Sequence, residues 1–222
     1  MLQQLRTLPT ELHMAHRTDN PITSVAFSED LLAVGLRDGR ILILDLDGEV
    51  LLELEGHSDW VNSVAWSPDG ARLASGSSDD KVLVWDVGGG DGAGEVLLEL
   101  EGHSSSVYSL AWSPDGAQLA SASFDEVMVV SIVSIERACG IAGLQGYTWT
   151  RWGAHYGVTF SPDGQALAFG DSFHVQLVDM NVSRDKARAS RLSSGSWQDL
   201  DKLATATGVT PDGQPFVETC RP

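Results

Sequence analysis

One ten-residue string, EVLLELEGHS, runs from Glu49 to Ser58 and again from Glu95 to Ser104, 46 positions later. AWSPDGA follows each copy at the same offset, at Ala65–Ala71 and Ala111–Ala117. Self-similarity at a fixed period of 20–50 residues is the mark of a solenoid, a propeller or an array. The repeat therefore constrains the fold before any single residue is weighed, and it turns attention from a catalytic centre to a surface.

Alignment on the aromatic that precedes the turn extends the pattern. Phe27, Trp66, Trp112 and Phe160 occupy that place, with spacings of 39, 46 and 48. Four units follow: VAFSEDLLAVG, VAWSPDGARLASGS, LAWSPDGAQLASAS and VTFSPDGQALAFG. GVTPDGQP, from Gly208, hints at a fifth. In the second unit, Val61, Val64 and Trp66 give a first strand whose change of spacing from three to two predicts a bulge. Pro68-Asp69-Gly70 is a turn: proline presets φ, aspartate bonds its own backbone, and glycine accepts positive φ. Leu73–Ser77 is a strand of small residues, suited to a place where sheets crowd together. Asp79-Asp80 turns the chain, and Val82–Trp85 is strongly β-forming. After the Gly88–Gly94 loop, Val96–Leu100 alternates as a fourth strand. Four antiparallel strands per roughly 40–45 residues describe a propeller blade.

Gly56-His57, Asp79 and Trp85-Asp86 carry a family resemblance over roughly residues 20–180. The chain resembles the WD-repeat β-propellers, the family of the G-protein β subunit. The resemblance implies an all-β propeller of about four to five blades, open or incomplete. It also implies a structural hydrogen-bond network in each blade: His57, Ser75, Asp79 and Trp85 in the second unit, and His103, Ser121 and Asp125 in the third, with Ser131 in the tryptophan place. The first unit keeps Asp38 and has Leu44 there, while the fourth has lost the pattern. By the same resemblance, partners dock on the rim where each first strand starts and just before the turn aspartate. Those positions are Trp60, Asn62 and Ser78; Ser106, Tyr108 and Phe124; Pro21, Thr23 and Arg37; and Ala154 and Tyr156. Trp60, Tyr108 and Phe124 are expected to form an aromatic patch. A second cluster, Tyr147, Trp149, Trp152, His155 and Tyr156 around Arg151, replaces the Gly-His start of the fourth unit.

Several residues invite a catalytic reading. His57, Ser75 and Asp79 have the chemistry of a triad, yet the set recurs in the third unit, where a second active site would serve nothing. Asp69, Asp115, Asp163 and Asp212 recur once per unit in PDG turns, so turn chemistry explains them better than metal ligation. GGGDGAG at Gly88–Gly94 lacks the lysine of a phosphate loop. No His/Cys/Asp/Glu group has metal spacing along the sequence, so neither metal nor cofactor is expected. The chain reads as no enzyme.

The net charge of −17 opposes phosphate backbones and anionic lipid, which sets nucleic acid and membranes aside as partners. No apolar run approaches the ~20 residues of a bilayer span, and MLQQLRTLPTELHMAH has no hydrophobic leader. Asn181-Val182-Ser183 is then a silent sequon. Cys139 and Cys220 read as idle thiols, and a cytoplasmic location is expected, with the nucleus as alternative. Arg184, Lys186, Arg188 and Arg191, with serines around them, read as a solvated linker or a phosphorylatable basic tether.

Organisation is expected as an N-terminal segment (1–21) whose Leu2–Leu8 resembles a closing strand, blades over 22–182, and a linker with a partial fifth repeat over 183–222. About five blades leave inter-blade faces open. A fragment of a longer propeller, or pairing with another copy or propeller half, is the expected consequence. The function expected from the resemblance is a non-catalytic scaffold for a protein or peptide. Alternatives are a regulatory repeat segment of a larger NTPase or kinase and a substrate-receptor module of a ubiquitin ligase. For the latter, Trp85-Asp86-Val87 is followed by Gly88 and not arginine.

Overall fold

The computed structural model describes residues 16–90, 92–130, 132, 155–170 and 174–180, with the backbone alone at 131, 146–150 and 189–191. The expected closing strand at Leu2–Leu8, the basic stretch 184–188 and the fifth turn from Gly208 lie outside the described residues.

Among the described residues, sixteen strands form four antiparallel four-stranded sheets, each built in chain order. Sheet 1 holds β1 (Ile22–Ser28), β2 (Leu31–Leu36), β3 (Ile41–Asp45) and β4 (Val50–Leu54). Sheet 2 holds β5 (Val61–Trp66), β6 (Arg72–Ser77), β7 (Val82–Asp86) and β8 (Val96–Leu100). Sheet 3 holds β9 (Val107–Trp112), β10 (Gln118–Ser123), β11 (Glu126–Ser131) and β12 (Gly146–Thr150). Sheet 4 holds β13 (Gly157–Phe160), β14 (Ala166–Gly170), β15 (Val175–Asp179) and β16 (Ala189–Arg191). The architecture is that of an open WD-type propeller of several blades. Part of the second aromatic cluster is thus a strand: 146–150 supplies the outer edge of sheet 3.

The PDG turns have one geometry three times over. Ser67 Oγ accepts from Arg72 N at 2.9 Å while Asp69 Oδ1 accepts from Ala71 N at 3.1 Å. The same pair of bonds recurs at Ser113/Asp115 and Ser161/Asp163. Gly70 sits at φ +69°, the left-handed region that makes glycine the fitting residue. The bulge expected in the second unit's first strand is present, with the pairing slipping between Val61 and Ser63.

Sheets meet face to face through a joint repeated three times. Val64 N donates to Ser24 Oγ, Leu110 N to Ser63 Oγ and Val158 N to Ser109 Oγ, at 3.1, 3.2 and 3.1 Å. In two joints a tryptophan adds a second link, Trp66 Nε1 to Ala26 O and Trp112 Nε1 to Ala65 O, both at 3.0 Å. Phe160 stands in the same place in sheet 4 and has no N–H to give. Small residues in the second strands make the approach possible. A Cβ placed on Gly76 would lie 2.6 Å from Val107 Cγ1 of the next sheet. Around these links the aliphatic core is continuous from Ala33, Ile41 and Ile43 through Val61, Leu73 and Trp85. Among the described residues, the first strand of sheet 1 has no such cover: Val25 is 59% and Phe27 69% exposed. Their counterparts Val64 and Trp112 are buried.

The register corrects one sequence expectation. Leu73 pairs with Trp85 in sheet 2, but Leu119 pairs with Val130 in sheet 3. Val130, and not Ser131, therefore holds the tryptophan place. The turn between β10 and β11 is one residue shorter than that between β6 and β7: Gly76 pairs with Val82, whereas Ala122 pairs with Val127. Counting a constant 46 residues carried the alignment one position too far.

Candidate interaction rim

The rim is assembled where each first strand begins and where the second strand turns into the third. In sheet 2 a buried polar chain fixes this end. Trp85 Nε1 donates to Ser75 Oγ at 2.8 Å, and the Ser75 hydroxyl lies 2.8 Å from His57 Nε2. His57 Nδ1 lies 2.9 Å from Asp79 Oδ2, which also accepts from Ser58 N at 2.9 Å. Every group is satisfied when Ser75 donates to Nε2 and Nδ1–H donates to Asp79. Burial works to raise the Asp79 pKa, but the bonds and charge from His57 and the Ser58 and Lys81 amides outweigh it and pull it down to about 2. Both ring nitrogens of His57 are engaged, so it offers no free base, and the set acts as a strand clamp.

Sheet 3 keeps most of the clamp. His103 Nδ1 meets Asp125 Oδ1 at 2.9 Å and Nε2 meets Ser121 Oγ at 2.7 Å. Val130 gives Ser121 no indole donor. Burial again opposes ionisation of Asp125, and hydrogen bonds from His103 and Ser104 N again prevail, holding its carboxyl well below the usual carboxylate range. In sheet 1, Asp38 sits in an exposed network instead, accepting from Arg40 Nε at 2.7 Å and Asn20 Nδ2 at 2.8 Å.

The clamps hold the rim residues in two groups. Tyr108, Phe124 and Tyr156 form a triangle of rings, with centroids 5.1, 5.7 and 5.6 Å apart. Phe124 is 44% and Tyr156 52% exposed. Such mixed edge-on and tilted contacts fill the space between the rings and leave their outer faces to solvent. Trp60, 40% exposed, takes a different neighbour: the Arg37 guanidinium lies 3.6 Å above its ring. The structure thus puts Tyr156 into the patch for which the sequence proposed Trp60. Asn62 and Ser78 have structural bonds. Asn62 Nδ2 donates to Ser78 Oγ at 2.9 Å and to Val107 O at 3.1 Å, joining sheets 2 and 3. In the first unit, Thr23 Oγ1 donates to Gly35 O at 2.9 Å, and Pro21 O accepts from Arg37 N at 3.0 Å. His155 is buried at the place of Val61 and Val107. Trp152, Arg151 and Ala154 lie outside the described residues, as do the side chains of Tyr147 and Trp149.

One residue escaped the sequence reading. Glu126 follows Asp125 and is 1% exposed, and neither carboxylate oxygen has a hydrogen-bond partner among the described residues. Burial, helped by the Asp125 charge, pushes its pKa up to about 7. Its counterpart in sheet 2 is Lys81, which forms an ion pair with Glu99. His103, Asp125 and Glu126 offer ligand atoms within 4.8 Å of one another. The fold thus assembles a trio that sequence spacing did not show. The available signal was the aligned pair SSDDKVLVW and SFDEVMVVS, where matching the apolar residues exposes the missing position.

Comparison with known proteins agrees with this geometry. Residues 48–86 and 94–130 each match the profile described as WD domain, G-beta repeat. Similar relatives include an intraflagellar transport protein 122 homolog of Xenopus tropicalis, 36% identical over 89 residues, which is 36% of this chain and 7% of the relative. Periodic tryptophan protein 2 of Saccharomyces cerevisiae is 36% identical over 88 residues, covering 38% of this chain and 9% of its own length. WD repeat and SOCS box-containing protein 1 of Takifugu rubripes is 48% identical over 59 residues, 26% of this chain and 14% of that protein. The chain thus spans a small part of the length of the curated relatives it matches.

Proposed function

This chain belongs to the WD-repeat family, and from that premise we propose that it is a non-catalytic scaffold whose rim docks a protein or peptide. WD repeats carry a protein-interaction role in general terms. The reading here is narrower: the docking surface is the Tyr108–Phe124–Tyr156 triangle, flanked by the Arg37–Trp60 stack. The observation that carries it is the exposure of that triangle on a backbone fixed from beneath. Exposed aromatic clusters are rare on surfaces without a partner, and aromatic anchors dominate interface energetics. Because the Asp79 and Asp125 clamps hold the loops in place, little ordering entropy is lost on docking. A cytoplasmic location fits this role.

The test is selection of peptides from a random display library on the full chain, followed by affinity measurement on variants. Phe124→Ala and Tyr156→Ala should each weaken the selected peptides by about 2 kcal/mol, roughly thirtyfold, with melting within a degree or two of the parent. Unchanged affinity in both variants would remove the triangle from the reading. Collapse of the fold would show that the rings are core.

A further inference from the structure

We propose that His103, Asp125 and Glu126 form a binding site for a divalent transition-metal ion of the zinc class, at the end of sheet 3 beneath the aromatic triangle. Three observations converge on it.

The first is the buried carboxylate itself. Glu126 is almost fully enclosed, and both its oxygens lack partners among the described residues. Burying such a group without a hydrogen bond or a counter-charge is costly, and natural sheets rarely keep one for nothing. One of its oxygens lies within 4.8 Å of a ligand atom of a second carboxylate, Asp125, and of an imidazole, His103. A zinc ion with ligands at about 2.0–2.2 Å needs neighbouring donors about 3.3–3.6 Å apart, so side-chain rotation of an ångström or so completes the set. Two carboxylates and a doubly charged cation give a neutral buried group. One imidazole nitrogen with carboxylate oxygens suits zinc and its neighbours better than magnesium or calcium, which prefer oxygen alone.

The second is the comparison with sheet 2. There the equivalent turn carries Lys81, whose ammonium pairs with Glu99 on the neighbouring strand. Sheet 3 replaces the cation with an anion, and its register places Thr148 opposite Met128 where Glu99 stands opposite Leu83. The half-exposed lysine of sheet 2, held by Glu99, thus gives way in sheet 3 to a buried carboxylate that an external cation neutralises.

The third concerns the histidine. In sheet 2 the Trp85 indole donates to Ser75. The Ser75 hydroxyl then points at His57 Nε2 and fixes the proton on Nδ1, facing Asp79. In sheet 3, with Val130 in the tryptophan place, nothing forces the Ser121 hydroxyl to donate. Ser121 Oγ, 2.7 Å from His103 Nε2, can accept instead. The neutral imidazole then carries its proton on Nε2 and presents the Nδ1 lone pair to the ion. A second group that orients the ligating histidine in this way is the usual companion of a metal ligand.

The experiment is titration of the full, EDTA-stripped chain with zinc chloride by calorimetry, for the parent, Glu126→Gln and Glu126→Lys. The parent should show one saturable binding event, weakened about tenfold or more in Glu126→Gln and abolished in Glu126→Lys, which carries the sheet 2 residue. Both variants should melt in EDTA no lower than the parent. Imidazole nitrogen NMR of the parent needs no variant: on zinc addition the His103 proton should move from Nδ1 to Nε2 while His57 is unchanged. Absence of saturable binding, equal affinity in all three proteins, or a His103 proton that stays on Nδ1 would each overturn the assignment. Equal affinity would place the zinc on the cysteines or on other histidines.

Discussion

Sheets 2 and 3 begin from nearly the same text and end as different objects. Both retain EGHS, SPDGA and a turn aspartate, and both form the His–Ser–Asp chain with matching distances. Yet sheet 2 closes its clamp with a buried tryptophan and neutralises the neighbouring lysine with Glu99. Sheet 3 has a valine, a shorter turn and a buried glutamate without a partner. The repeated string specifies the joint and the turn. Among the differences between the copies, one deletion in the turn and the exchanges of Trp85 for Val130 and of Lys81 for Glu126 set the two clamps apart.

Four substitutions bear on that contrast. The largest effect is expected from Trp85→Val, which gives sheet 2 the residue of sheet 3. It empties a fully buried place and removes the donor to Ser75, for a loss of about 3–4 kcal/mol in urea denaturation. A loss under about 1 kcal/mol would mean that the indole is not what separates the sheets. Asp79→Ala follows, at about 3 kcal/mol, because it leaves the buried His57 imidazole unpaired and takes the acceptor from the more exposed Ser58 and Lys81 amides. Its stabilising contribution also has a pH signature. With the folded pKa near 2 and the unfolded one near 3.9, the contribution is complete above about pH 4 and is lost as pH falls towards 2. The acid limb of the parent's melting profile should therefore flatten in Asp79→Ala. Next is Gly76→Ala, at about 1–3 kcal/mol, since its Cβ would meet Val107 Cγ1 at 2.6 Å. Sheet 3 already carries Ala122 at that place, so Ala122→Gly should cost less. Equal costs would show the sheets to be equally crowded there.

Much of this was readable in the residues. The second unit's strands fall where alternation and turn chemistry put them, and Val96–Leu100 coincides with β8. The PDG turns are local devices whose hydrogen bonds stay within five residues, so sequence alone suffices for them. The rim was legible residue by residue but not as groups. Whether Trp60 meets Tyr108 or Arg37 depends on how neighbouring sheets lean, a long-range property that no short pattern carries. Val130 was missed for a related reason: a repeat count assumes a constant period, and strand pairing absorbs a deletion in the turn. Glu126 was invisible because a glutamate beside an aspartate in a turn reads as solvated, and its enclosure is set by the sheets around it.

The matched segments do not coincide with the sheets. Residues 48–86 start on the outer strand of sheet 1 and finish on the third strand of sheet 2; residues 94–130 make the same step from sheet 2 into sheet 3. The matched module thus joins the last strand of one sheet to the first three strands of the next. Each copy carries one donor and one acceptor of the joint, Val64 N towards sheet 1 and Ser63 Oγ towards sheet 3, so a copied unit meets a neighbour on either side. Growth by duplication is therefore mechanically safe from the first generation, and each new copy is free to diverge wherever the coupling does not reach.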